Sequence, residues 1–334
     1  MGSRSTEGYA YARAGLLGNP SDGYNGKVIA ISLKNFSARV ILEESEDLWI
    51  IGSRQDEERY RSMREFSEKI SLHGYYGGVR LIKAALLKFF LYASEKGRSL
   101  GKRNFSVRYE SDIPRQVGLG GSSAIITATL RALMKFFEIH IPLELQPSLI
   151  LSAERDELGI NAGFMDRVAQ VYEGCVYMDL SPEIIEAKGY GNYERLDAGF
   201  LPDLYLAYNP RLGKISGLVL SEIRQKFSSG DAYTISTLRK IAELAEEGKA
   251  AIVRHDREAL GRLMNENFDL RRSIMAIDTG SLAMVETARR CGASAKFAGS
   301  GGSITGIYEG AEMFERLRFE LDKLGATVIR PAIA

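Results

Sequence analysis

Cysteine is nearly absent: the 334 residues hold two, Cys175 and Cys291, far apart in the chain. Two distant thiols make no disulfide framework and fit a reducing compartment. Histidine is too sparse and scattered for a zinc site, with only His73, His140 and His255. An excess of either charge is also missing. Lys and Arg number 44 against 43 Asp and Glu, a net charge of +1. A dedicated nucleic-acid binder carries a basic excess, so that class is excluded, while a local pocket for an anion stays open. The most apolar helical run, Leu81 to Ala93, is broken by Lys83 and Lys88 and does not span a bilayer. The opening MGSRSTEGYA lacks the apolar core of a signal peptide. The chain reads as soluble and cytoplasmic, with no membrane or nucleic-acid partner.

Hydrophobic residues make up 45% and charged residues 26%, ordinary for a globular protein. At roughly 150 residues per domain the length suggests two domains. Strand patterns are expected at 27–33, 36–42, 48–52, 104–111, 175–180, 204–208 and 327–329. Helices are expected at 54–70, 77–94, after the glycine run near 120, at 147–158, 164–172, 216–227, 233–247, 256–268, 281–291 and 313–324. The texture changes at 190–200, a linker or domain edge.

Four segments carry chemistry. The first runs from Pro114 through Arg115 to Gly118, Leu119, Gly120, Gly121, Ser122 and Ser123, just before a strong helix. Small residues let backbone approach a ligand, and the free N–H groups and dipole of a helix start favour a phosphate chain. The bland alternative is a glycine turn that only caps the helix. In the second segment Glu154 lies late on one helix and Asp166 in the first turn of the next, so two carboxylates sit near a reversal. They could converge on a metal and a hydroxyl, or Asp166 could merely complement a helix start. The third, Ala295 to Ser303 with Gly299 and Gly301, is a glycine loop between strands that could close over a nucleotide or be a plain hairpin. The fourth, Arg13 to Gly26, puts a cation, amides, Asn19 and Asp22 on one loop. That set suits sugar hydroxyls and a transferring phosphate, and equally a surface turn.

Other phosphate machinery is excluded. Gly97 to Lys102 has the wrong spacing for a P-loop, and Ser123 stands where a dinucleotide fingerprint needs its third glycine. Protein-kinase signatures and a GxSxG elbow are absent.

Taken together and in this order, the four segments resemble the GHMP kinase superfamily over nearly the whole chain. Within it, GNPSDGYNGK, GYYGGVRL, IPRQVGLGGSSAI, LSAERDELGINAGFMDRVAQVY, NFDLRR and ARRCGASAKFAGSGG resemble plant-type glucuronokinases. One departure is Asn19, which stands where the sugar-kinase loop carries Glu and argues against galactose. A second is Gly121, where many members carry serine.

The resemblance implies an α+β, two-domain fold. An N-terminal ATP-binding domain of the ribosomal-protein-S5-domain-2-like type would cover 1–195. A ferredoxin-like α/β sandwich would cover 196–334, with the site in the cleft between them. It also implies ATP wrapped by Gly118 to Ser123 and covered by Gly299 and Gly301. Mg2+ would be held by Ser123 and Glu154. Asp166 would face the acceptor hydroxyl, with Arg13 balancing charge beside it. The implied substrate is D-glucuronate, phosphorylated at its anomeric hydroxyl. Asn19, Asp22, Arg115 and Asp166 would meet the sugar, and Tyr75 and Tyr76 would stack on it or belong to the core. A carboxylate calls for arginine. Arg115, Arg167, Arg271 and Arg272 are candidates, and sequence does not choose among them. The alternatives are the same chemistry on a neutral hexose or a heptose phosphate, and a non-catalytic sugar and nucleotide sensor.

Overall fold

The computed structural model describes residues 5–52, 77–101, 103–212 and 221–334. The expected helix at 54–70 and both Tyr75 and Tyr76 lie outside the described residues.

A long antiparallel pair frames the first layer. Strand β1 (Ser5–Leu17) pairs along the length of β2 (Lys27–Ser45). The other edge of β2 is shared: its second half takes β4 (Asn104–Ser111), and its first half takes β5 (Cys175–Asp179). Short strands β3 (Trp49–Ile50) and β6 (Asn192–Leu196) close the two ends. The expected separate strands at 27–33 and 36–42 are therefore one strand. Its pairing with β1 jumps from Tyr11↔Ser37 to Ala12↔Leu33, and the skipped residues bulge out. Asn35 in that bulge bonds the chain's last segment, accepting from the Ala332 N–H and donating to the Arg330 carbonyl. The strand expected at 48–52 shrinks to two residues. The expected linker at 190–200 contains β6, whose residues alternate too weakly between buried and exposed to read as a strand.

Helices cover this sheet. α1 (Gly78–Glu95) buries Leu81, Ile82, Ala85 and Phe89, a helical stripe. α2 (Gly121–Phe137) lies on β1 and β2, with a mostly apolar buried face that also takes in Ser123, Thr127 and Thr129. Gly8 of β1 makes this possible, because a Cβ there would sit 1.9 Å from the Ala128 carbonyl oxygen. α3 (Gln146–Ser152) runs into a turn of π-helical pitch, Ala153–Glu157, in place of the continuous helix expected at 147–158. α4 (Met165–Tyr172) follows, and a short α5 (Pro182–Lys188) precedes β6.

The second half begins with β7 (Leu204–Tyr208), continues through α6 (Ser221–Ser228), α7 (Ala232–Val253), α8 (Arg257–Ile274) and α9 (Thr279–Arg290), and returns as β8 (Lys296–Phe297), β9 (Ser303–Ile307), α10 (Gly310–Asp322) and β10 (Thr327–Ile329). These strands form an antiparallel sheet in the order β10-β7-β9-β8. α7 and α8 run further than expected, to 253 and 274. The start of the helix expected at 216 falls outside the described residues. α7 packs on β1 and β2, and a Cβ at Gly248 would meet Leu17 at 2.0 Å, so the two halves share one large core. Both cysteines are buried and unbonded. Among the described residues no helix is long and apolar enough to cross a membrane.

Gly8→Ala sets a methyl against the α2 backbone, which cannot yield without moving the helix. A loss of about 2 kcal/mol or more is expected, read as a fall in thermal midpoint against wild type.

Candidate active site

Three backbone loops meet between the sheets. The segment after β4 turns at Gly118 and Gly120, whose φ values of 74° and 76° suit glycine. No side chain caps α2, so its first N–H groups stay available to an anion. The loop between β8 and β9 presses against this turn: a Cβ at Gly299 would lie 1.9 Å from the Gly118 carbonyl oxygen. Ser303 Oγ donates to the Val117 carbonyl at 2.6 Å. Gln170 Nε2 donates to the Gly120 carbonyl at 2.8 Å.

Arg13, 4% exposed, joins all three loops. Its Nε donates to Asp166 Oδ1 at 2.7 Å, and Nη1 donates to the carbonyls of Gly118 and, at 3.4 Å, Ala298. Asp166 opens α4 beside this glycine turn, since a Cβ at Gly120 would stand 3.3 Å from its Oδ2. Burial alone would raise the Asp166 carboxyl. The cations of Arg13 and Arg167 and the Arg13 hydrogen bond outweigh it and hold the group below the ordinary carboxylate range.

Glu154 sits on the π turn, 1% exposed. Arg167 grips its Oε2 through both Nε and Nη2, and Ser123 Oγ donates toward both carboxylate oxygens at 3.2 and 3.3 Å. Burial pushes this carboxyl up, and the arginine and serine oppose the push. Asp22 Oδ2 accepts the Met165 N–H at 3.1 Å and is likewise raised by burial.

One cavity of about 1340 Å³, measured to its open mouth, joins these parts. Gly118 to Ser123, Arg13, Asn19, Asp22, Arg115, Glu154, Asp166 and Gly299 all line it. Gly301 does not, because it turns to a small neighbouring pocket beside Leu212 and Met275. Arg115 stands with Ile113 and Gln116 on the loop that leads into the phosphate turn. Arg80, which sequence reasoning passed over, lines the cavity too, and its buried Nε has no partner among the described residues. Asn267 was also missed: it accepts the Gly18 N–H at 2.8 Å and donates to the Asn19 carbonyl at 3.1 Å. Its signal was a polar residue in the buried stripe of α8.

The family model for the GHMP kinases N terminal domain matches residues 80–174. The chain belongs to the GHMP kinase family, with its two-domain α+β fold, and is an ATP-dependent kinase. Within the family it is 42% identical to Glucuronokinase 1 of Arabidopsis thaliana, over 96% of this chain and 90% of that protein. It is 44% identical to Probable glucuronokinase 2 of the same plant, over 96% and 89%. Among solved structures, the Lin0012 protein from Listeria innocua superposes with a TM-score of 0.79 at 18% identity, covering 99% of this chain and 98% of that one.

Asp166→Asn keeps the shape and removes the charge. A fall in kcat of about a thousandfold is expected, with the KM for ATP nearly unchanged. Equal loss of ATP binding would count against a role at the acceptor. The depressed carboxyl also fixes a pH dependence. Its stabilising contribution is complete above the unfolded value of about 3.9 and is lost as pH falls through the lower folded value. Between pH 5 and 8 it stays ionised, so the wild-type kcat profile should carry no acid limb from this group.

Proposed function

We propose that the protein transfers the γ-phosphoryl group of ATP to the anomeric hydroxyl of D-glucuronate, releasing glucuronate 1-phosphate and ADP. The observation that carries this reading is the juxtaposition of the phosphate turn at Gly120 with Asp166 in one cavity. The names of the two Arabidopsis relatives support the choice of sugar. The lining supports an anionic pair of substrates: among the described residues, Arg13, Arg80, Arg115, Arg167 and Arg271 face Asp22, Glu154 and Asp166.

In this reading the N–H groups of 118–123 hold the ATP phosphates and Gly299 closes over them. Phosphoryl transfer passes through a loose transition state, so positioning and charge neutralisation do most of the work. Arg13 neutralises charge on the group in flight. Asp166, held ionised by Arg13, is a weak base. It orients the acceptor hydroxyl and takes its proton late, and the acidity of an anomeric hydroxyl helps. Asn19 and Asp22 face the sugar.

Ser123 and Glu154 fit Mg2+. Both offer buried oxygens beside the glycine turn, and among the described residues Glu154 Oε1 has only the serine hydroxyl as partner. Among the described residues no group of three or more His, Cys, Asp or Glu could hold a metal. That suits an ion that takes its remaining ligands from phosphates and water. Mg2+ would supply charge neutralisation on the triphosphate. The division into 1–195 and 196–334, the cytoplasmic location and the carboxylate substrate all belong to this proposal.

A panel of uronates, neutral hexoses and heptose phosphates with ATP, read by ADP release, tests it. Turnover confined to uronates is expected. Turnover of another sugar moves the substrate, and binding of sugar without ADP release overturns the enzyme.

A further inference from the structure

Two residues one turn apart on α8, Asn267 and Arg271, reach the cleft region from its second half. Arg271 is 2% exposed and lines the cavity. Its Nη1 donates to the Gly299 carbonyl at 2.7 Å, Nη2 points to the Ser300 carbonyl at 3.4 Å, and Nε lies 3.4 Å from Met275 Sδ. The guanidinium also lies 5.2 Å from the Phe297 ring centre. Every one of these partners is neutral, and among the described residues no carboxylate forms an ion pair with Arg271. Three of the five guanidinium N–H groups are directed at them, which leaves two.

A second cation stands close by. Lys296, 1% exposed, gives its three donors to the Gly15 carbonyl at 2.8 Å, Asn19 Oδ1 at 2.5 Å and the Phe297 carbonyl at 2.8 Å. It too lacks a carboxylate among the described residues. Buried charge is costly unless paired, and burial already pulls the Arg271 pKa down to about 10. Arg271 therefore carries its charge on this wall with no ion pair among the described residues, although Asp22 acts on it electrostatically within the same cavity. The other arginines are committed or placed elsewhere. Arg13 serves Asp166 and Arg167 serves Glu154. Arg115 lies on the loop that leads into the glycine turn, and Arg80, at the start of α1, lines the cavity from there with its Nε unpartnered among the described residues. Arg272 is half exposed, 3.9 Å from Glu286.

We propose that Arg271 is the receptor for the sugar's carboxylate, which it captures through its two remaining N–H groups. This assignment rests on the uronate reading above and names the residue that enforces it. Guanidinium and carboxylate match in a bidentate fork; Asn19 nearby is neutral, and burial pushes the pKa of the one acid that acts on Arg271 here, Asp22, up toward its uncharged form. Lys296, whose pKa burial and the neighbouring Arg271 and Arg13 pull well down, keeps Asn19 turned toward β8.

The test compares glucuronate with glucuronamide, its neutral analogue, in steady-state kinetics with ATP. Wild type should prefer the acid. In Arg271→Met the KM for glucuronate should rise about 10- to 100-fold, the acid-over-amide preference should collapse by a similar factor, and the KM for ATP should stay within about threefold. If both sugars lose equally, or the ATP KM rises with them, the guanidinium is a clamp on Gly299 and Ser300 and the assignment fails. Should Arg271→Met not fold, Arg271→Lys carries the same test: it keeps the charge, loses the fork, and should retain a weakened acid preference. Wild type that turns over no uronate overturns the substrate reading itself. Wild type active on glucuronate, with Arg271 variants that keep full acid preference, overturns only the arginine's role.

Discussion

The ion pair between Arg13 and Asp166 is the constraint on which the site depends. Arg13 comes from β1 and Asp166 from the start of α4, more than 150 positions later in the chain. Among the described residues the same guanidinium donates to no other acid, and its Nη1 donates to the carbonyls of Gly118 and Ala298. One buried side chain thus fixes the acid, the phosphate turn and the second-half loop against each other. A buried pair of this kind adds little net stability, because desolvation offsets most of the attraction. What it contributes is register: neither loop can drift without exposing a charge to an apolar core.

The cleft is also a problem in charge balance. Its acids are each answered: Asp166 by Arg13, Glu154 by Arg167, and Asp22 by the Met165 N–H at a helix start. Its cations are not all answered. That asymmetry is costly in an empty protein and favourable once anions enter, so the structure trades folding free energy for affinity. The trade explains why so much positive charge is buried in a chain whose net charge is only +1. The surface carries the compensating acids, and the cleft carries the excess cations.

The glycine turns and both carboxylates were legible in the sequence because backbone chemistry leaves a compositional trace. A turn that must admit a phosphate needs small residues, and a helix must start beside it. The strand at 104–111 was legible from its clean alternation, and the short one at 327–329 from three β-branched residues in a row after Gly325. The bulge in β2 was not, since pairing with a distant partner, not local pattern, carries the strand through Lys34 and Asn35. β6 was hidden because it lies at a sheet edge, where little of it is buried. The length of α8 was underestimated because Arg271, beyond the expected end at 268, looks like a surface residue, whereas it is buried and lines the cavity.

This contrast separates two kinds of information in the chain. The transfer machinery is built from main-chain amides and from side chains that must pair with each other, so each member constrains its partners and the set is visible as motifs. In the proposed reading, recognition of the acceptor rests on side chains such as Arg271 that the protein holds through neutral partners alone, so no paired acid marks them in the sequence. Such residues appear in sequence only as anomalies: a buried arginine without an acid, a neutral Asn19 where related loops carry Glu. Their meaning emerges once the fold shows which wall they line. A buried polar group that the protein itself leaves unanswered is, by that fact, addressed to something that arrives from outside.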